Sequence, residues 1–110
     1  MTKEQTEKTI TETICTLVYS AGDGLPVAMY DGVLQSVLRE KGFDVSVTNI
    51  PSGMIYLVDN QVAVALFSKG ADPAAIRTQL QTYVDNTPSH PLGLLVNFAI
   101  YPPLEGVTRL

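Results

Sequence analysis

Two apolar runs, Met54–Val58 (MIYLV) and Val62–Phe67 (VAVALF), meet at Asp59-Asn60. Asp and Asn both tolerate positive φ, so the pattern predicts a β-hairpin with Val58 and Gln61 flanking a two-residue step. Alternation along the second run sets Val62, Val64 and Leu66 against Ala63, Ala65 and Phe67. Both sets are apolar, which predicts a central strand covered on two sides.

The segments on either side read as the cover. Ile10, Ile14, Leu17 and Val18 share one face of a helix over 3–20, with Glu4, Lys8, Glu12 and Thr16 largely opposite. Thr2 and Gln5 have capping-box spacing, although few apolar residues tie down the opening turns and fraying is expected there. Ala21-Gly22-Asp23-Gly24 ends this helix. It is no phosphate-binding loop, because it lacks the following Lys and Ser/Thr and no strand precedes it. Pro26 suits the first turn of a second helix, with Tyr30, Val33, Leu34, Val37 and Leu38 as its buried stripe. Gly32 inside that helix suggests close packing against the first. Arg39 and Lys41 suit its C-terminus, and Gly42 its stop.

Phe43 to Ile50 alternates as a strand, with Phe43, Val45 and Val47 on one face and Asp44, Ser46 and Thr48 on a wet one, as at a sheet edge. Pro51-Ser52-Gly53 is a turn, and Lys69-Gly70-Ala71 leads out of the hairpin. Asp72-Pro73 is an acidic N-cap followed by proline at the first position of a third helix, whose stripe is Ile76, Leu80, Tyr83 and Val84. That helix ends at Asn86-Thr87-Pro88. Leu92 to Ile100 reads as a buried strand, Tyr101-Pro102-Pro103 interrupts it, and Val107 to Leu110 reads as a short edge strand. The order is α-α-β-β-β-α-β-(β). A helix between the hairpin and the next strand allows a parallel pair. Residues 1–110 therefore read as a single α/β domain with a mixed sheet flanked by helices.

Composition narrows the function. The chain has 110 residues, seven basic and eleven acidic, for a net charge of −4. That length builds a core without disulfides, and that charge is a poor footprint for nucleic acid. The polar start holds no apolar signal region and no run reaches spanning length, so the expected setting is cytoplasmic, without a membrane. Cys15, in an apolar helical stripe, reads as a buried thiol. His90, between prolines and without a second histidine, reads as a surface residue with no metal to hold. Ser20, Ser36 and Ser52 lack the glycine-flanked setting of a nucleophile elbow. No metal site, cofactor or catalytic residue is expected.

Gly24-Leu25 followed by Tyr30, then the hairpin, then Gln79 and Tyr83, then GLLVNF at 93–98, resembles the GxxExxxY protein family of the PD-(D/E)XK nuclease-like superfamily. The likeness runs from about Ile10 to Leu110. Members read as a helix, a glycine-rich turn, GLLE-x-x-Y, a long helix, a hairpin carrying D and then ExK, a helix with QLxxY, and a strand ending in NF. The resemblance implies a restriction-endonuclease-like core. It also implies a lost site. Val27 stands for the glutamate of the name motif, Ile55 for the strand aspartate, and Ala65 and Phe67 for the glutamate and lysine of ExK. Metal-assisted phosphodiester hydrolysis needs carboxylates to hold the ion, and these residues supply none. Only Gln79 and the two tyrosines remain.

Two functions stay open. One is an inactive nuclease-like domain that binds protein, as a homo-oligomer or a subunit of a complex. Its charged fraction of only 16% favours that reading, since soluble domains carry about 25%. In this reading the stretch Tyr101–Leu104 lies on a partner, or the Val107–Leu110 edge pairs with one, unless they fold back over the chain's own sheet. The alternative is a small-molecule or nucleic-acid binding module using the remnant cleft, with Gln79 and Tyr83 as polar contacts.

Overall fold

A computed structural model describes residues 2–21, 27–51, 53–67, 72–97 and 103–110. The glycine turn at 22–24, Pro26, Ser52, Lys69–Ala71 and the stretch from Phe98 to Pro102 lie outside the described residues. The elements follow in the order α1 (Lys3–Ala21), α2 (Val27–Glu40), β1 (Val45–Ile50), β2 (Gly53–Val58), β3 (Val62–Phe67), α3 (Pro73–Asn86), β4 (Leu92–Val96), a 3-10 turn (Pro103–Gly106) and β5 (Val107–Arg109). One five-stranded sheet runs β1-β2-β3-β4-β5, antiparallel throughout except for the parallel pair β3–β4 across α3. The mixed α/β architecture expected from the pattern is the observed one.

Strand β3 lies at its centre. Val62, Val64 and Leu66 are fully buried against Ile10, Ile14 and Val18 of α1 and Tyr30, Leu34 and Leu38 of α2. Ala63 and Ala65 are equally buried on the opposite face, under Ile76 and Leu80 of α3. The result is helix–sheet–helix layering around a strand whose residues Val62 to Leu66 meet no water. Each fully buried Val or Leu on it contributes about 1.5–3 kcal/mol of hydrophobic stabilisation.

Short-range chemistry fixes the joints. Asp59 and Asn60 have φ of 51° and 56°, and the Gln61 N–H donates to the Val58 carbonyl at 2.9 Å. The ladder pairs Val58 with Val62, so Gln61 is a third turn residue rather than the first of the strand. The Asp44 N–H donates to Asp59 Oδ1 at 2.7 Å, and the Asp59 N–H to the Asp44 carbonyl at 2.8 Å. Helix α2 ends in a Schellman motif: the Phe43 N–H reaches the Leu38 carbonyl and the Gly42 N–H that of Arg39, with Gly42 at φ 93°. Asp72 caps α3 through the Ala74 N–H at 3.0 Å, with Pro73 opening the helix.

Four expectations require correction. The start of α1 is tied down. Thr2 and Gln5 form a reciprocal capping box, buried Thr6 donates to Gln61 Oε1 at 2.9 Å, and Lys3 donates to the Ser89 and His90 carbonyls. Gly32 packs on nothing, since a Cβ there would meet no atom within 4 Å; it faces water. Val33 is 46% exposed, because it lies on the flank of α2 rather than on its sheet-facing line. Strand β1 begins at Val45, and Val47 is 40% exposed; at the sheet margin the cover of α2 runs out. The C-terminal strand β5, by contrast, pairs with β4 and forms the second edge of the sheet, as its sequence suggests.

Candidate functional site

The hairpin brings together three of the four positions that the resemblance marks as a former metal site. Ile55 and Ala65 are direct cross-strand partners, and neither exposes any surface. Phe67, two residues along the same face, packs against the cluster formed by Ile55, Ala63, Ala65, Ile76, Leu80 and Leu95. The face is dry and apolar. A cation there would meet methyl and ring carbons instead of oxygen ligands. Val27 is the first residue of α2; its side chain lies outside the described residues.

Gln79 and Tyr83 both sit on α3. Tyr83 is half-buried and packs on the α3-side cluster. Gln79 is half-buried and engaged in a polar interaction. Beside α3 a shallow groove of about 330 Å³ is bounded by Phe67, Pro73, Arg77, Leu95, Asn97 and Thr108. Neither Gln79 nor Tyr83 lines it, because Arg77 and Pro73 occupy a different flank of the helix. The two residues singled out for a remnant cleft are thus placed away from this groove. Among the described residues, no group of three His, Cys, Asp or Glu stands where it could hold a metal.

A larger groove, about 400 Å³, separates α1 from α2. Leu17, Leu34 and Val37 form its apolar part, Thr9, Thr13 and Thr16 a hydroxyl-lined wall. Threonine hydroxyls on a helix satisfy themselves on the preceding turn, as Thr13 does on the Thr9 carbonyl at 2.8 Å. The wall therefore presents methyl groups as much as donors. Cys15, half-buried on α1, has its thiol pKa pushed up by desolvation, which disfavours the thiolate needed for nucleophilic work.

What remains conspicuous is surface. Tyr19, Met29, Val33 and Val47 are large apolar side chains open to water. Sequence periodicity assigned Val33 and Val47 to buried stripes, and only the limits of helix and sheet cover expose them. The structure contains no helix long and apolar enough to cross a membrane among its described residues. No family model, no curated protein and no solved structure matches the chain.

Proposed function

We propose that this chain is a catalytically inactive domain with a restriction-endonuclease-like core that acts by binding protein, in the first instance a second copy of itself. One observation carries the reading: the positions where the resemblance puts carboxylates hold Ile55 and Ala65, paired across the hairpin and fully buried. Phosphodiester hydrolysis has no ion holder and no place for a water there. The order of hairpin, helix and parallel strand supports the likeness of core. The formal charge of −4 speaks against a nucleic-acid partner, and the exposed Met29 and Val33, one turn apart on α2, speak for a protein one. A small-molecule role in a remnant cleft is less well supported, since Gln79 and Tyr83 do not line the groove beside α3. Sedimentation velocity over about 1–100 µM, a range suited to weak and moderate association, tests the reading. A concentration-dependent dimer is expected; one-chain mass throughout overturns self-association.

A further inference from the structure

The outer margin of β1 is a sheet edge open at Val47 and Asn49. Natural edges are blunted by charge, proline, a bulge or brevity. Strand β1 has none of these: its six residues, VSVTNI, hold no charge and no proline, and all six pair one-to-one with β2 without a bulge. The opposite edge, β5, has three residues and carries Arg109.

The direction of the free groups follows from the ladder. Asp44 bonds toward the Asp59 side through both its N–H and its carbonyl. In an antiparallel pair the direction alternates, so Val45, Val47 and Asn49 turn their N–H and carbonyl groups outward. The Val45 carbonyl takes a bond from Arg39 Nη2 at 3.2 Å, reaching round from α2, which agrees with that assignment. No described backbone group bonds to Val47 or Asn49 from outside the sheet.

We infer that two copies of this chain pair antiparallel through β1, about a two-fold axis at Val47, into one continuous sheet. The inference rests on the self-association proposed above and names its surface. The strand is self-complementary about that axis. Val47 faces Val47 of the second copy as a doubly hydrogen-bonded pair, and Val45 faces Asn49, its carbonyl shared with Arg39. Ser46 lies opposite Thr48, a favourable hydroxyl pair, and no like charges meet. Half-exposed Val47 gains cover from its counterpart.

The helices add charge complementarity. Asp31, Gln35 and Arg39 follow at four-residue spacing along α2, and Arg39 reaches the outer margin of β1. Within the helix Gln35 Nε2 donates to Asp31 Oδ1 at 2.8 Å, and Tyr56 Oη of β2, the residue paired with Val47, donates to the Asp31 carbonyl at 3.2 Å, which ties α2 to the β1–β2 pair. A two-fold axis perpendicular to the sheet runs the second copy's α2 antiparallel to the first. Asp31 of each copy then faces Arg39 of the other.

Val47→Pro tests the pairing. Its N–H points outward, so proline removes an intermolecular donor and leaves the β1–β2 ladder intact. The dimer dissociation constant should rise at least about tenfold, as expected when two symmetry-related bonds are lost. Cys15→Ser/Val47→Cys provides a gain of signal. Opposed residues of a hydrogen-bonded pair have Cα atoms about 5.5 Å apart, within disulfide reach, so mild oxidation should link two chains. Cys15→Ser/Val33→Cys should not link. A wild-type dimer that persists in folded Val47→Pro, or a Val47→Cys protein that stays unlinked, overturns the β1 pairing and leaves self-association standing. Should the proline variant fail to fold, the cross-link decides. A wild-type monomer throughout overturns both.

Discussion

Ile55 on β2 and Ala65 on β3 face one another across the hairpin, both wholly removed from solvent beneath α3. Their side chains are part of one apolar layer. A carboxylate placed at Ala65 would therefore be buried among Ile55, Ile76 and Leu80 without a charge partner. Ala65→Glu should cost about 3 kcal/mol or more at pH 7. Burial raises the folded-state pKa of such a glutamate above its unfolded value near 4.3. The electrostatic penalty is then full above the raised pKa and is lost below about pH 4, where both states are protonated. Urea unfolding at the two pH values checks this. Equal losses at both would mean that the carboxylate finds water or a partner.

Phe67 continues the same face but also borders the groove beside α3. A phenylalanine with one open edge loses less on truncation than the about 3–5 kcal/mol of a fully enclosed one. Phe67→Ala should lower unfolding free energy by about 2–3 kcal/mol. Chemical denaturation measures it, and a loss under about 1 kcal/mol would show that the ring does not seal the α3 layer.

Gly32 offers the opposite sign. It is exposed inside α2, and a Cβ meets nothing there. Gly32→Ala adds helix propensity and restricts the unfolded chain without a clash. The melting midpoint should rise, corresponding to about 0.5–1 kcal/mol. A fall on thermal unfolding would mean that this position contacts a second molecule.

Cys15 is half-buried, and desolvation holds its thiol pKa above the ordinary value. Because the folded-state value is the higher one, any contribution of this thiol to stability falls as pH rises past the unfolded value. Iodoacetamide should label Cys15 more slowly in the folded chain than in urea at pH 8. Equal rates, followed by intact-mass spectrometry, would mark a freely accessible thiol.

Local chemistry alone determined the helices, strands and joints. The Asp59-Asn60 turn, the Gly42 stop, the Asp72-Pro73 start and the two apolar faces of β3 follow from φ preference, capping and side-chain alternation, all of which act over a few residues. Alternation likewise puts Ala65 and Phe67 on one face, whereas Ile55 joins them only through the hairpin register. Other outcomes depended on what neighbouring elements cover. Val33 and Val47 have the spacing of core residues, yet Val33 lies on the flank of α2 and Val47 on the edge strand, where burial stops. Gly32 has no partner because it lies on the solvent side of α2. Thr6, polar and isolated in sequence, is buried because it meets Gln61, 55 positions away. Periodicity gives the direction in which a side chain points; only the tertiary arrangement decides whether anything lies there.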